Sequence, residues 1–302
     1  AQALLVSKPD YSDLSKNAVE CMQSVGRNYP DCGYGGGFRK WMFSDNPKPY
    51  NSYGNGAAMR VSAAGFAANS IEEAKELSKK ITEVTHDHPE GIKGAEATAV
   101  AIYMAKTGSS LLEIRDYIDK NYYPMNFTLD GIRTTYKFNE TCQDTVPQAL
   151  MAFFESTDFE DAIRNAISIG GDSDTLAAIC GGVAEAYYGV PSEIRKHALT
   201  FLDKQLLRIL IAFENKYPPV MEKKVGDISV PVERKFERKV KGSERETMMQ
   251  EAFQAADDDT EAAELTKEET TSRQLFNHLF EACNILRGPI NQDEFKSYVT
   301  PV

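Results

Sequence analysis

Apolar residues recur at three- and four-residue spacing through most of residues 1–217, and this pattern predicts a series of helices. The first clear helix begins at Ser70, which is followed by an acidic first turn, and it runs to about His86. The next two helices cover residues 94–106 and 109–121. Short connections rich in Gly, Pro and Asn separate them, as is typical of neighbouring helices that pack against each other.

The pattern continues in the second half of this region. A helix is predicted over residues 145–155, with Pro147 in the first turn, where a missing N–H group removes no hydrogen bond. Asp158 is placed to cap the following helix, and another helix covers residues 175–188. Alternating apolar and polar runs of strand length are scarce, so the fold class indicated is all-α, although the pattern does not exclude a sheet.

The last third of the chain is different in character. Residues 234–241 are mainly basic, whereas residues 244–269 contain ten Asp or Glu. We therefore expect a helical domain over residues 1–217, a charged and partly helical linker over residues 218–270, and a truncated helical module over residues 271–302.

Composition narrows the class of protein. The chain has 302 residues, a net charge of -11 and five scattered cysteines without a C-x-x-C pair, so a nucleic-acid footprint, a disulfide framework and a zinc site are all unsupported. No apolar run is long enough for a membrane helix, and we expect a cytoplasmic protein. Because the chain begins at Ala1 and its last residues follow what reads as an unfinished helix, we expect a fragment cut at both ends.

Residues 170–175 carry the first chemical motif, in which two glycines precede Asp172, Asp174 and Thr175. Carboxylate and hydroxyl oxygens are hard ligands that suit Mg²⁺, Mn²⁺ or Ca²⁺ better than zinc or copper. The same residues also fit an ordinary helix cap. A calcium loop is a poor alternative because no further acidic ligands follow at the required spacing.

The second motif lies in residues 51–60. We expect Gly54 and Gly56 to allow backbone conformations with positive φ, and the neighbouring N–H groups could cradle a diphosphate. An ordinary turn explains the Asn-Gly pair equally well. Further along, His86 is expected at a helix end, where a favourable interaction with the helix dipole is one explanation, and His88 is expected at the surface.

Two further segments are assigned no chemistry. Residues 33–37 are rich in glycine but lack the Gly-Lys-Ser/Thr of a phosphate loop, so with Trp41 they are expected to form a mobile rim over a pocket. The acidic residues 257–260 belong to a charge run and are expected on a solvated face. Cys142 and Asp144 are assigned to the scaffold.

Residues 170–175, with the small-residue helix that follows to Gly189, resemble the C-terminal signature of ADP-ribosylglycohydrolases. This resemblance implies that the two aspartates and the threonine hold a pair of divalent ions, Mg²⁺ or Mn²⁺, beside the ribose to be released. Residues 51–60 are similar to the loop that lines the ADP-ribose diphosphate in that family, and His86 matches a position near the nucleotide. The ADP-ribose contacts implied are Ser52, Tyr53, Gly54, Asn55, Gly56 and His86.

The resemblance implies a helical-bundle hydrolase that removes ADP-ribose from a modified protein or a small ADP-ribose conjugate. It leaves the catalytic residue unassigned. The family's other metal motif, Thr-Asp-Asp-Thr, is absent from the sequence, and residues 1–5 look like the helix that would follow it, so the residues present are expected to hold one ion at most. The alternatives are a non-catalytic ADP-ribose-binding or structural protein on the same fold, and a restriction-modification accessory protein.

That last alternative depends on the end of the chain. Residues 275–290 and 295–298 are similar to the opening of the methyltransferase subunit of type I restriction-modification systems. The similarity includes none of that family's cofactor or catalytic motifs, so it implies no methyl transfer. It implies only that a restriction-modification subunit is a candidate partner.

Overall fold

The computed structural model describes residues 1–218, in which all of the regular secondary structure is helical. No strand occurs in this region, where the strand-like pairing is an isolated bridge between Gly54 and Thr141. The all-α prediction is therefore confirmed for the domain. In chain order the helices are α1 (Gln2–Val6), α2 (Leu14–Gly26), α3 (Gly36–Met42), α4 (Gly56–Met59), α5 (Ser62–Ala67), α6 (Ile71–Thr82), α7 (Pro89–Thr107), α8 (Leu111–Asn121), α9 (Leu129–Ile132), α10 (Val146–Phe154), α11 (Phe159–Ser168), α12 (Ser173–Tyr188), α13 (Ser192–Leu199) and α14 (Lys204–Lys216).

Helices α7 and α12 form the centre of the bundle. Helix α7 packs against α4, α5, α6 and α12, and α12 also packs against α10 and α11. Small residues let these helices approach closely: a Cβ on Gly65 would lie 2.6 Å from the carbonyl oxygen of Ala99, and one on Gly182 would lie 2.7 Å from Ser62 Oγ. The small residues of α12 therefore allow a close approach between helices. The short helix α4 also packs against α12.

Side-chain caps account for the starts of several helices. The side chains of Ser70, Ser110 and Asp158 each accept a hydrogen bond from the backbone three residues later, as the caps at 70 and 158 predict. Two predicted boundaries were wrong. Helix α6 ends at Thr82 rather than near His86, and α7 begins at Pro89 rather than at residue 94.

The early start of α7 has a local cause. His88 Nδ1 accepts a hydrogen bond from the backbone N–H of Glu90 at 3.1 Å, so His88 is the N-cap and Pro89 opens the helix. His88 is half-buried, which corrects the expectation of a purely surface residue. A histidine cap is uncommon, and the apolar spacing further along gave no sign of it.

Trp41 differs from its expected place in a glycine-rich rim, because it is buried in the core with 4% of its surface exposed. Gly36 and Gly37 form the first turn of α3, and a Cβ on Gly37 would lie 2.9 Å from the ring of Tyr50. The glycines of residues 33–37 are themselves exposed, so the rim stays a prediction for them.

Several expectations fall on other parts of the chain or on its environment. Among residues 1–218 no helix is both long and apolar enough to cross a membrane. The four cysteines in this region, Cys21, Cys32, Cys142 and Cys180, are free. Apart from Pro218, the predicted linker over residues 218–270, the acidic residues 257–260 and the module over residues 271–302 lie outside the described residues, so the restriction-modification partner stays a prediction.

Candidate functional site

Asp172 is positioned by a tight turn between α11 and α12. Gly170 and Gly171 both have positive φ, at 72° and 69°, and they turn the chain so that Asp172 becomes the N-cap residue of α12. Its side chain makes no capping hydrogen bond. Instead, Asp172 Oδ2 accepts a hydrogen bond from Asn55 Nδ2 at 2.7 Å. The Asp172 side chain therefore does not cap α12, which argues against the interpretation of this motif as an ordinary helix cap.

Asp172 and Asp174 form a carboxylate pair at the start of α12. Burial and the adjacent Asp174 carboxyl raise the pKa of Asp172 to about 6, while hydrogen bonds from Asn55 and the Thr175 hydroxyl act in the opposite direction. Asp174 is exposed, and Thr175 is buried with 4% of its surface accessible. Two carboxyl groups this close favour a proton or a cation between them.

The oxygen atoms of this pair and of Thr175 are suitable ligands for a divalent cation. All three residues supply hard oxygens of the kind that Mg²⁺ and Mn²⁺ prefer, and a hydrated Mg²⁺ normally takes one or two carboxylates. Within residues 1–218 no group of three or more His, Cys, Asp or Glu is arranged to hold a metal. The described residues therefore fit part of one coordination shell, with the other positions left for water or substrate oxygens.

The loop of residues 52–56 is held by pairing with a second segment. The backbone N–H of Asn55 donates to the carbonyl oxygen of Glu140 at 2.7 Å, and that of Cys142 donates to Tyr53 at 2.9 Å. The buried Cys142 thiol also contacts the carbonyl oxygen of Gly54 at 3.2 Å. Cys142 thus acts within the scaffold, as its position in the sequence indicates, and the loop is fixed on one side.

The glycines of this loop lie close to neighbouring side chains and do not have unusual backbone angles. Neither Gly54 nor Gly56 has positive φ, which corrects the expectation, and positive φ falls instead on Asn51 at 52°. A Cβ on Gly54 would lie 3.3 Å from Ser52 Oγ and 3.5 Å from His86 Nε2. Ser52 Oγ in turn accepts the backbone N–H of Gly54 at 3.2 Å. The loop therefore lies directly against His86.

His86 is buried behind the loop as a neutral ring with a defined tautomer. Its Nδ1 lies 2.7 Å from Thr85 Oγ1 and 3.3 Å from Arg60 Nη2. Because a guanidinium can only donate, Nδ1 is the acceptor and the proton resides on Nε2, which faces the glycines. Burial, helped by the positive charge of Arg60, lowers the pKa of His86 to about 3. His86 is thus a neutral N–H donor directed at the loop.

Tyr53 is the exposed member of the loop, with 46% of its surface accessible. Its ring lies 5.1 Å from that of His88, between centroids. By contrast, Asn55 is buried, and its Nδ2 also lies 3.1 Å from Thr145 Oγ1 and 3.3 Å from the carbonyl oxygen of Asn139. Five of the six predicted ADP-ribose contacts therefore form one loop and His86 lies against it, and all six stay predictions as ligand contacts.

Sequence reasoning missed several residues of this site. Met59 accepts a hydrogen bond from the Thr175 hydroxyl at 3.5 Å, and Tyr136 packs on Gly171. Arg60 sets the tautomer of His86. Met59 and Arg60 do lie within the motif of residues 51–60, so closer attention to its end would have found them. Nothing local to Tyr136 indicates its place beside the acidic pair.

Comparisons with known proteins show the family of this chain. Residues 2–218 match the family model described as ADP-ribosylglycohydrolase. The chain is similar to human ADP-ribosylhydrolase ARH3, with 26% identity over 224 residues that cover 53% of this chain and 61% of ARH3. It is also similar to ADP-ribosylarginine hydrolase Tri1 of Pseudomonas putida (strain GB-1), with 27% identity over 157 residues that cover 50% of this chain and 42% of Tri1.

A solved structure shares the fold. It is described as an ADP-ribosylglycohydrolase-related protein complex, and it aligns with a TM-score of 0.51 and 20% identity over 72% of this chain and 80% of that one. The chain spans less than two thirds of the length of human ARH3 and of Tri1. Since the family model covers well over half of the sequence and the helical fold agrees, the chain belongs to the ADP-ribosylglycohydrolase family.

Proposed function

We propose that this domain binds ADP-ribose and hydrolyses the bond between its ribose and a modified protein or a small conjugate. The observation that carries the proposal is the 2.7 Å hydrogen bond from Asn55 Nδ2 to Asp172 Oδ2. It joins a loop suited to a diphosphate to a carboxylate pair suited to Mg²⁺ or Mn²⁺. Two motifs that are each ambiguous alone thereby form one site.

The loop would bind and orient the nucleotide. We assign Ser52, Tyr53, Gly54, Asn55, Gly56 and His86 to this role. The packed backbone of residues 52–56 keeps its free N–H groups in place for phosphate oxygens, and the exposed ring of Tyr53 borders the same surface. His86 stays uncharged, and its Nε2 lies beside Gly54 and Gly56. Binding would therefore rely on oriented dipoles more than on a positive side chain.

The acidic pair would act at the ribose. Cleavage at the anomeric carbon passes through an oxocarbenium-like state, so the ribose must be oriented and a water must be placed on the correct face. We assign Asp172, Asp174 and Thr175 to hold the cation, with Asn55 fixing the orientation of Asp172. A bound divalent ion would supply polarisation of a ribose oxygen and a lower pKa for its water.

Calorimetric titration of the whole chain with ADP-ribose, with and without Mg²⁺, tests the binding part of this proposal. We expect ADP-ribose to bind more tightly in the presence of Mg²⁺ and to bind at least about tenfold more weakly to Asp172→Asn. A loss of this size is typical when a group around a metal ion is removed. Asp116→Asn on the exposed side of α8 is the matched control and should bind as the wild type does. Equal binding by wild type and Asp172→Asn would contradict the placement of the cation.

Release of ADP-ribose from labelled substrates tests the hydrolytic part. The panel contains arginine-linked, serine-linked, nucleobase-linked and ester-linked ADP-ribose, because pocket shape rather than motif spacing decides which linkage fits. The arginine linkage comes first because Tri1 is named as an ADP-ribosylarginine hydrolase. We expect release that depends on Mg²⁺ and is lost in Asp172→Asn, with Asp116→Asn unchanged.

A non-catalytic ADP-ribose-binding protein is the second candidate. It is favoured by one observation, namely that residues 1–218 bring two carboxylates and one hydroxyl together but no larger group of metal-binding side chains. The same two assays separate the candidates. Tight binding of ADP-ribose without release from any of the four linkages would support the binding protein and exclude the hydrolase.

A further inference from the structure

We propose that Met59 is a positioning residue for the cation site, because its sulfur accepts the hydrogen bond of the Thr175 hydroxyl and so leaves a lone pair of the Thr175 oxygen free to face the cation. The inference rests on the proposed function, since it assumes a cation at Asp172, Asp174 and Thr175. It adds to that function a residue that touches neither the cation nor the nucleotide in the arrangement proposed above.

The first step concerns the proton of Thr175. A hydroxyl group has one proton and two lone pairs, so it donates a single hydrogen bond at a time. Thr175 is buried, and two acceptors lie beside its Oγ1: the Asp172 carboxylate and Met59 Sδ, the latter at 3.5 Å. Without a cation, the charged carboxylate is the stronger acceptor of the two.

A cation changes this preference. When a divalent ion binds Asp172 and Thr175 together, both oxygens direct lone pairs at it, and the Thr175 proton must point away from the ion. Met59 Sδ lies at hydrogen-bond distance for that orientation. A thioether is a weak acceptor, but a buried hydroxyl proton without any partner would be costlier. Met59 therefore favours the form of Thr175 that binds a cation.

The short helix α4 places Met59 beside Thr175. Asn55 precedes helix α4 and Met59 ends it, so the two residues are four apart and lie on one face of a single helical turn. Asn55 holds Asp172, and Met59 holds Thr175 three residues later in the first turn of α12. Residues at the two ends of α4 thus contact Asp172 and Thr175, which are two members of the acidic motif.

The experiment measures Mn²⁺ affinity on the whole chain, by the loss of the free Mn²⁺ signal in electron paramagnetic resonance. We expect Met59→Leu, which keeps the size and apolar character, to weaken Mn²⁺ binding about tenfold, the low end for outer-shell partners. Met22→Leu, at a half-buried methionine of α2, is the matched control and should bind as the wild type does. Circular dichroism melts verify that each variant is folded.

A double-mutant cycle separates this role from simple packing. In a Thr175→Val background the hydroxyl is gone, so we expect Met59→Leu to cause no further loss of Mn²⁺ affinity. If Met59→Leu binds Mn²⁺ as tightly as the wild type, or if it weakens binding equally with and without Thr175, the inference is wrong while the proposed function stands. If the wild-type chain binds no Mn²⁺, the proposed cation site fails and the inference fails with it.

Discussion

Tyr136 packs so closely on Gly171 that a Cβ at position 171 would lie 2.5 Å from its Cε1 atom. Gly170, which has nearly the same φ, would place its Cβ in open space, with nothing within 4 Å. The two glycines therefore share one backbone conformation but differ in what covers them. Tyr136, through its ring, confines the turn that presents Asp172.

This difference gives a prediction for the two glycines. Gly170→Ala should lower the free energy of unfolding by about 1–2 kcal/mol, the cost of a left-handed conformation for a residue with a Cβ. Gly171→Ala should cost about 1–3 kcal/mol more, because the methyl group also meets the ring. Urea unfolding measures both. In a Tyr136→Ala background the extra cost at Gly171 should disappear, and equal costs in the wild-type background would contradict the role of Tyr136.

Asn55 should be important for stability as well as for ligand binding. Asn55→Ala removes the donor to Asp172 and leaves buried acceptors at Thr145 and Asn139 with one partner fewer, so we expect a loss of about 1–3 kcal/mol in the free energy of unfolding. Asn46→Ala changes an exposed asparagine and should cost less than about 0.5 kcal/mol. Chemical denaturation of the two variants makes the comparison, and similar costs would rule out a buried anchoring role.

His86 should make the domain sensitive to acid. Its pKa is about 3 in the folded protein and about 6.5 when unfolded, so the stability it contributes is complete above pH 6.5 and is lost as the pH falls towards 3. Between pH 7.5 and pH 5 this loss amounts to about 2 kcal/mol. Unfolding curves of His86→Gln should therefore fall less steeply over that interval than those of the wild type. His197→Gln, on an exposed position of α13, should follow the wild-type slope.

Glu185 should have the opposite dependence on pH. Burial raises the pKa of the Glu185 carboxyl to about 7. The positive charge of Arg195 opposes this rise in pKa, and the negative charge of Glu214 adds to it. Arg195 is itself engaged by Glu214, with Nη2 at 2.5 and 2.7 Å from the two carboxylate oxygens. A raised folded-state pKa favours the protonated form, so the stability linked to Glu185 is lost as the pH rises from about 4.5 to 7.

The test of this second pH effect is a substitution that keeps the shape of the side chain. Glu185→Gln should be more stable than the wild type by about 1–2 kcal/mol at pH 8, and the difference should shrink at pH 5, where the wild-type carboxyl is largely protonated. Thermal melts at the two pH values provide the measurement. The exposed Glu193→Gln should change stability little at either pH. A gain from Glu185→Gln that is equal at pH 5 and pH 8 would show that ionisation is not its cause.

Local patterns in the sequence were sufficient to predict five of the helices, with the caps at Ser70 and Asp158, but they did not single out the thirteen-residue helices α2 and α14. Helices α6, α8, α10, α11 and α12 lie where apolar spacing and capping residues indicate, because these signals act between residues three or four apart. The four- and five-residue helices α1, α4 and α9 are too short to show a period. The start of α7 was missed because His88 provides an unusual cap.

In the candidate site, too, local patterns predict the individual motifs but not the contacts between them. The acidic motif and the glycine-containing loop are each recognisable from their own residues, but each alone also fits a helix cap or a turn. Asn55 and Asp172 are 117 residues apart, and Met59 and Thr175 are 116 apart, so their contacts depend on how α4 packs against α12. The sequence by itself therefore determined most of the candidates for the chemistry, although it did not single out Met59, Arg60 or Tyr136. Only the tertiary structure decided which of them meet, because contacts between distant segments follow from the packing of whole helices and not from local propensity.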